Sequence, residues 1–332
     1  MSWQKISSGR RRKRSRLLPS AGRRQASGVM AVPPAVVVTL LAGGFAAVFI
    51  AERRHPLRKR VEQQLPHVGR DVAMLALSAL ATTILQKPLL APVARQVQER
   101  QLGLLNSIRI PCAIRVILGV LVLDYTLWWW HWANHRVPLL WRFHLPHHVD
   151  LDLDSATALR FHFGEMSLSV FFRMAQIRAL GPDALSVSIW QVMLMLSIVF
   201  HHSNLRLGDA AERTLRKLIV TPAMHGIHHS DFQNETDSNW SSLFSIWDYL
   251  HGTARFDVPQ SAITIGVPAW ENPCDVTLGH VIAMPFGKMR QDWLAGDGTV
   301  RRSRDTFDVS NPDDSLHRHN ATPLNLLPSE ET

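Results

Sequence analysis

Three long apolar runs occupy the first part of the chain. They cover about residues 31–51, 72–93 and 110–130. The first run contains no charged residue, and the second is interrupted by Gln86 and Lys87. A helix rises 1.5 Å per residue, so roughly 20 apolar residues are needed to cross the hydrocarbon core of a bilayer. The pattern therefore predicts three membrane-spanning helices.

A fourth apolar region follows Glu165 and is divided by Gly181 and Pro182, which predict a turn. The two halves predict a helical hairpin that enters the membrane and returns, so that both of its ends face the same side. The one strand signal is short and lies near residues 262–267. The fold class is therefore predicted to be all-α, an integral membrane helical bundle.

Composition divides the chain into four parts. Residues 1–30 are a basic arm, 31–105 contain the first spans, 106–296 form a histidine-rich domain and 297–332 are a polar tail. The arm and the tail lack a sustained apolar period and are predicted to be disordered. The arm is interpreted as a segment beside anionic lipid headgroups rather than a nucleic-acid-binding tail, or as an extension upstream of a true start at Met30.

The overall composition agrees with a membrane protein. Of the 332 residues, 46% are hydrophobic and 19% are charged, with a formal net charge of +9. The charged fraction is below that of a typical soluble domain, and disorder of the whole chain is excluded. Cys112 and Cys274 form no CxxC pair, which excludes a cysteine zinc site. Histidine is the unusual residue, because 11 of the 17 lie between His131 and His229.

These histidines form three clusters with helical spacing. HWANH has two histidines at positions i and i+4, and HLPHH and HGIHH both have the spacing HxxHH. Residues three or four apart lie on one face of a helix. Two copies of HxxHH in one chain are improbable by chance. The eight residues are His131, His135, His144, His147, His148, His225, His228 and His229.

Eight clustered imidazoles predict a metal centre. Protonated rings would repel one another, and neutral buried rings need a partner for each nitrogen. A tetrahedral zinc site uses only four ligands, so eight imidazoles indicate two metal ions. Imidazole suits iron, zinc and copper alike, and the residues alone leave the metal open.

The motif order HxxxH, HxxHH, HxxHH resembles the fatty acid hydroxylase and sterol desaturase superfamily of membrane di-iron oxygenases, and within it the bacterial sterol desaturase-like branch. Three further segments resemble short motifs of that family: RFHFGE at 160–165, HSN at 202–204 and NWSSLFSIWDYLHGT at 239–253. The resemblance covers roughly residues 33–290. It identifies 106–296 as a fatty acid hydroxylase-like catalytic domain.

The resemblance implies a ligand set larger than eight. His202 would be the ninth ligand and His162 the tenth, whereas His201 lies about 100° from His202 on a helix and would be structural. No catalytic residue beyond the metal ligands is implied. Polar neighbours that would hold the ligand rings by accepting their second N–H are Asp124, Glu165, Asp237, Asp248 and Asn204.

The implied activity is the hydroxylation or desaturation of a lipid C–H bond, with two iron ions as cofactor and O₂ as co-substrate. The chain has no GxGxxG, no HPGG and no cysteine set for an iron–sulfur cluster, so electrons would come from a ferredoxin- or cytochrome-type donor with its reductase. Two alternatives stay open. One is a membrane zinc-dependent hydrolase that uses the same histidines, and the other is a non-catalytic membrane protein with a vestigial site.

Three spans before the clusters place the histidines on the side opposite the N-terminus. The resemblance implies a multi-pass protein of the inner membrane whose histidine-rich cap, with its dimetal site, faces the cytoplasm. The loop 53–70 contains six Arg and Lys residues and agrees with this orientation. The nine basic residues of the arm argue for the opposite orientation, unless the chain starts at Met30.

Overall fold

The computed structural model describes residues 31–307, and the regular secondary structure of these residues is helical. The helices are α1 (Pro34–Arg54), α2 (Gln64–Arg100), α3 (Leu104–Ser107), α4 (Cys112–Arg136), α5 (Pro138–His148), α6 (Phe163–Leu180), α7 (Ala184–His202), α8 (Asp209–Leu215), α9 (Pro222–His228), α10 (Gln233–Thr236), α11 (Ile246–His251), α12 (Leu278–Ala283) and α13 (Arg304–Phe307). The predicted basic arm at 1–30 and residues 308–332 of the predicted tail lie outside the described residues.

Four of these helices are long and apolar enough to cross a membrane, namely α1, α2 with α3 (Gln64–Ser107), α4 and α7. They contain the three predicted apolar runs and the second half of the predicted hairpin. The all-α membrane bundle is therefore confirmed as a fold class. Helix α2 extends beyond its apolar run and continues through Pro88 and Pro92. Large apolar side chains such as Val38 and Ile84 are exposed on the outer faces, where lipid would cover them.

The ends of the helices bring the histidine clusters to one side of the bundle. Helix α1 reaches this side at Glu52, whose carboxylate accepts hydrogen bonds from the backbone N–H groups of Ser155 at 3.0 Å and Asn204 at 2.9 Å. Helix α2 begins on this side and leads away from it, and α4 returns to it. Three long helices therefore precede the clusters, as predicted. The hairpin of α6 and α7 has both ends, at Phe163 and His202, on the same side.

At the opposite end of the bundle, the α2–α3 turn meets the α6–α7 turn backbone to backbone. Gly103 and Gly181 both have positive φ angles, of 95° and 64°. The amide of Asn106 donates to the carbonyl oxygens of Leu102 at 2.8 Å and Gly181 at 3.1 Å, which joins the two turns. Glycine is required at this contact because a Cβ atom on either residue would collide with the backbone of the other turn.

Helix α5 and the segments after α7 form a cap over the histidine end of the bundle. Its apolar core contains Leu145 and Val149 from the end of α5. Val267, Trp270 and Met284 from the later segments pack against them. Two of these residues flank His147 and His148 in sequence, so burial of this core fixes the α5 histidines in position.

The strand predicted near residues 262–267 is not formed, and that prediction was wrong. Ile265 makes only an isolated antiparallel bridge with Ser230. The segment begins at the end of a 3-10 turn, Gln260–Ala262, and it contains Gly266 with a φ angle of 126°, which an extended strand does not adopt. Local backbone geometry therefore overrides the β propensity of this short apolar run.

The ordered body continues past the predicted tail boundary at Asp297. Arg301 forms an ion pair with Asp231, and Arg304 donates to Glu235 at 2.9 Å. The backbone N–H of Gln233 also donates to the carbonyl of Arg301 at 3.0 Å. These contacts hold residues 297–307 against the segment that follows α9.

We expect Gly181→Ala to lower the thermal unfolding midpoint of the detergent-purified protein. The left-handed backbone alone costs an ordinary residue about 1–2 kcal/mol, and the new Cβ would also meet the Leu102 carbonyl. The control is Gly69→Ala in α2, where a Cβ meets nothing within 4 Å and helix propensity favours alanine. Equal midpoints for the two variants would contradict the backbone contact.

Candidate dimetal site

Four helices deliver the clustered histidines to one buried place. HWANH lies in the last turns of α4, HLPHH forms the last turn of α5, and HGIHH spans α9 and the residue after it. His202 is the last residue of α7. Each motif is helical or begins in a helix, so its i, i+3 and i+4 spacing points the rings to one side, as expected from the sequence.

The nine histidines separate into two groups whose ligand nitrogens lie within 4.8 Å of one another. The first group draws on α4, α5 and α9, and the second on α5, α7 and α9. Adjacent residues of one HxxHH motif fall into different groups, as His147 and His148 do. The first group is His131, His135, His144, His148 and His228, and the second is His147, His202, His225 and His229.

Within each group the Nε2 atoms face one another at hydrogen-bond distance. In the second group, His202 Nε2 lies 3.0 Å from His147 Nε2 and 3.0 Å from His225 Nε2. His229 Nε2 lies 3.1 Å from His225 Nε2. Two nitrogens that each lie about 2.1 Å from one metal ion, at right angles, are about 3.0 Å apart. The observed spacing therefore fits nitrogens that share a cation.

The pair His131 and His228 gives the clearest case. Their Nδ1 atoms each lie 2.7 Å from a backbone carbonyl oxygen, of Trp240 and Ser238 respectively. A carbonyl only accepts, so each Nδ1 carries the ring proton and each Nε2 presents a lone pair. The two Nε2 atoms are 3.1 Å apart. Two lone pairs at this distance repel each other, and a bound cation removes that repulsion.

Protons are poor candidates for this cation. Burial is the largest cause that lowers the pKa of His228, to about 3, and the neighbouring imidazoles add to it. Burial likewise lowers the pKa values of His147, His148, His225 and His229 well below the ordinary value. The rings are therefore neutral at physiological pH, which is the protonation state that binds a metal.

Backbone carbonyls and one carboxylate hold the rings. His202 Nδ1 lies 2.8 Å from the carbonyl oxygen of Ile198, one turn earlier in α7. His144 Nδ1 lies 3.0 Å from Glu165 Oε1, which also accepts from the Asn134 amide at 3.2 Å. A carboxylate that accepts the second ring N–H fixes the tautomer and raises the basicity of the other nitrogen. Glu165 therefore makes the contact with an imidazole ring that the sequence analysis expected.

The other polar neighbours proposed from the sequence do not contact a ligand ring. Asp248 accepts from Trp128 Nε1, Trp240 N and Ser241 N, each at 3.0 Å, and so acts through the Trp240 carbonyl that binds His131. Asp124 accepts from Trp247 Nε1 at 2.7 Å and Phe244 N at 3.1 Å.

Asp237 and Asn204 also lie away from the ligand rings. Asp237 pairs with Arg136 at 3.1 Å on the surface of the cap. Asn204 binds the backbone of Arg58 through both atoms of its amide, at 2.8 and 2.9 Å. Their contacts position loops rather than imidazoles.

His162, expected as the tenth ligand, is not brought to either group. Its Nδ1 accepts from the backbone N–H of Gly164 at 2.9 Å and caps α6, and its Nε2 lies 3.1 Å from the Ile282 carbonyl. Both ring nitrogens are used in these contacts, so His162 has no nitrogen free to bind a metal ion. His201 is buried, and its ring centroid is 4.2 Å from that of His225, but it belongs to neither group.

A buried ion-pair network behind HLPHH was not predicted from the sequence. Arg160 donates to the Pro146 carbonyl inside HLPHH at 2.8 Å and to Asp71 at 3.1 Å. His67 and Arg70 both contact Asp150, at 3.0 and 2.8 Å. Burial would raise the pKa of Asp150, but these cations hold it well below its usual range. Two features of the sequence could have indicated this network, namely Arg160 in RFHFGE and the acidic residues after His148.

A cavity of about 670 Å³ leads from the membrane helices to the histidines. Its walls are mostly apolar and come from α1, α2, α4, α6 and α7, including Phe45, Leu75 and Met166. Its inner end is lined by histidines of both groups, namely His131, His144, His147, His202 and His225. A lipid-sized apolar molecule could therefore contact both halves of the site without crossing water.

Fold and site together define a histidine-rich protein with membrane-spanning helices and two imidazole groups suited to metal ions. The fatty acid hydroxylase family model matches residues 116–253. The chain thus contains a fatty acid hydroxylase domain, and the resemblance inferred from the histidine motifs is confirmed. No solved structure matches the chain.

Three curated relatives, all of the fatty acid hydroxylase and sterol desaturase superfamily, match part of the chain. An ornithine lipid hydroxylase of Rhizobium tropici is 29% identical over 56% of this chain. An alkylglycerol monooxygenase of Xenopus tropicalis is 30% identical over 41%, and a cholesterol 25-hydroxylase of Mus musculus is 27% identical over 46%. The matched regions span 54%, 29% and 50% of the lengths of these relatives, respectively.

We expect His228→Ala to lower the metal content of the purified protein to about half or less, because it removes a nitrogen from the first group. His162→Ala is the matched control, since it deletes a buried histidine outside both groups and should retain the metal. Elemental analysis of both variants and the wild type measures this. Metal loss in His162→Ala with retention in His228→Ala would contradict the grouping.

Removal of the metal should make stability strongly dependent on pH. Five histidines of the cap have folded pKa values below the ordinary 6.5, namely His147, His148, His225, His228 and His229. Below about pH 6.5 the unfolded chain therefore binds more protons than the folded chain. The free energy of unfolding then falls as pH falls, by up to about 2 kcal/mol per histidine at pH 5. Thermal midpoints of chelator-treated protein between pH 8 and 5 measure this, and His228→Ala should show a shallower slope. A flat profile would contradict buried neutral imidazoles.

Proposed function

We propose that this protein is a membrane di-iron lipid hydroxylase. It would use O₂ and two external electrons to convert a lipid C–H bond into an alcohol, with water as the second product. The overall balance is RH + O₂ + 2 e⁻ + 2 H⁺ → ROH + H₂O. The observation that carries the proposal is the apolar cavity that ends on histidines of both groups.

The two groups would hold one iron each. His131, His135, His144, His148 and His228 would bind the first iron, and His147, His202, His225 and His229 the second. Imidazole alone does not select iron over zinc or copper, and the family resemblance supports iron. With O₂ and electrons, two bound irons supply an oxidant strong enough to remove a hydrogen atom from an unactivated C–H bond.

The protein itself contributes ring orientation and exclusion of water. The carbonyls of Trp240, Ser238 and Ile198 keep the protons of three ligand rings on Nδ1 and leave Nε2 free. Glu165 does the same for His144 and also lines the cavity. Apolar walls keep bulk water from the inner end of the cavity and align the lipid chain with both groups.

Hydroxylation is preferred over desaturation for this chain. The three relatives are named hydroxylases or monooxygenases, and they act on an ornithine lipid, an alkylglycerol and cholesterol. Their polar groups differ widely, while each has a long or bulky apolar part. We therefore infer a lipid substrate whose apolar part enters the cavity, and an electron donor of the ferredoxin or cytochrome type that docks on the cap.

We further propose a multi-pass location in the inner membrane with the cap on the cytoplasmic side. The basic residues of loop 53–70 support this orientation. Two of them also form ion pairs within the chain, because Arg60 pairs with Asp154 at 2.6 Å and Arg70 with Glu62 at 2.8 Å. The cytoplasm would supply both electrons and protons for the reaction.

The experiment supplies the iron-loaded protein with reduced ferredoxin and ¹⁸O₂, and offers an ornithine lipid, an alkylglycerol, cholesterol and a free fatty acid. We expect a product with one ¹⁸O atom. His147→Ala should lose at least about 100-fold in rate, and Glu165→Gln about 10–100-fold. The exposed His280→Ala is the control and should retain full activity.

Two outcomes would overturn the proposal. A protein that contains zinc and hydrolyses an ester without O₂ would be the membrane hydrolase considered above. A protein whose metal content and lipid binding do not change in His147→Ala would be a non-catalytic scaffold.

A further inference from the structure

The cavity contains a positive charge far from the histidines. Arg173 lies in α6, eight residues after Glu165, which corresponds to about 12 Å along the helix. Both residues line the same cavity. Glu165 contacts His144 at the inner end, so Arg173 lines the cavity away from the histidines, toward the part formed by the long helices.

Arg173 has no acidic partner among residues 31–307. Its guanidinium carbon lies 5.5 Å from the centre of the Trp190 ring, on the facing helix α7. Trp190 is itself buried and packs in the apolar core between α4 and α7. The carboxylate that lines the same cavity, Glu165, is engaged with His144 and Asn134. A guanidinium in an apolar cavity without a counter-charge costs free energy that the folded protein must offset.

Two arginines on the histidine side of the bundle provide a comparison. Arg70 pairs with Glu62 and Asp150, and Arg160 pairs with Asp71. Each of these side chains lies against carboxylates of its own chain. Arg173 differs because it pairs with no carboxylate among residues 31–307 and lines a cavity large enough for a lipid chain. The counter-charge that fits this space is one carried by the ligand.

We propose that Arg173 binds an anionic oxygen group, a carboxylate or a phosphate, of the lipid that occupies the cavity. The lipid chain then extends from Arg173 toward the histidines, and the distance between the anion and the inner end of the cavity sets which carbon reacts. Guanidinium suits this role because its planar donors match carboxylate and phosphate oxygens. The inference rests on the proposed function, since it names the class of lipid that this site would accept.

The test measures binding and needs no turnover. Dibromostearic acid and its methyl ester quench tryptophan fluorescence on contact, and Trp130 and Trp190 line the cavity. Both probes are titrated at pH 8 into the iron-loaded protein in a non-ionic detergent. We expect the acid to bind at least ten times more tightly than the ester. Arg173→Gln should remove this preference by weakening the acid about tenfold, while the affinity for the ester stays the same.

Two matched variants keep the test decisive. Arg178→Gln changes an exposed arginine of the same helix, which donates to Gln96 at 3.2 Å, and should keep the full preference. Arg173→Lys keeps the charge and should keep part of the preference, because lysine lacks the paired donors of guanidinium. Thermal midpoints of all variants verify that they fold.

A second pair of probes distinguishes the source of the anion. A brominated monoacylglycerol phosphate is compared with the matching neutral monoacylglycerol in the same variants. Loss of preference in Arg173→Gln for the carboxylate pair, the phosphate pair or both supports the proposal and identifies the group. Equal binding of both anions and their neutral partners in the wild type, or an unchanged preference in Arg173→Gln, overturns it. Anion preference without hydroxylation would leave this inference standing and count against the proposed function alone.

Discussion

His131 and His228 face each other through unprotonated Nε2 atoms 3.1 Å apart, while their Nδ1 protons are committed to backbone carbonyls. This contact is repulsive unless a cation is bound, and the same convergence of neutral nitrogens recurs throughout both histidine groups. The apolar environment strengthens the constraint, because it disfavours imidazolium. The cap holds these lone pairs together, which is the arrangement that two metal ions bound between them would require.

Contacts distant from the ligand nitrogens serve this constraint. Asp248 holds the backbone of Trp240, whose carbonyl orients His131, and Arg160 holds the Pro146 carbonyl within HLPHH. Burial of Leu145 and Val149 fixes the same turn from its other face. Arg160 also forms a buried ion pair with Asp71 at 3.1 Å. Such a pair adds little net stability, but loss of one partner is costly, at about 3–5 kcal/mol. The histidine positions therefore depend on the cap as a whole.

The sequence predicted the membrane helices and nine of the ten histidines that the structure could have brought together, because hydropathy and HxxHH spacing are local properties. His162 was assigned on its motif, and only tertiary contacts show that it caps α6. The ring partners were harder to predict, since backbone carbonyls such as that of Trp240 leave no residue-type signal. Glu165 was identified, whereas Asp124 binds Trp247 instead. Arg173 gave no motif and became significant only as a cavity wall.

The central claim is that nine imidazoles divide into two separate metal sites of five and four nitrogens. Mössbauer spectroscopy of the reduced protein loaded with ⁵⁷Fe measures this most directly, because each iron environment gives its own quadrupole doublet. We expect two doublets of equal area, since the two ligand sets differ in number and in their contact with Glu165. A single iron environment at one iron per chain, or protein that binds no iron, would contradict the claim.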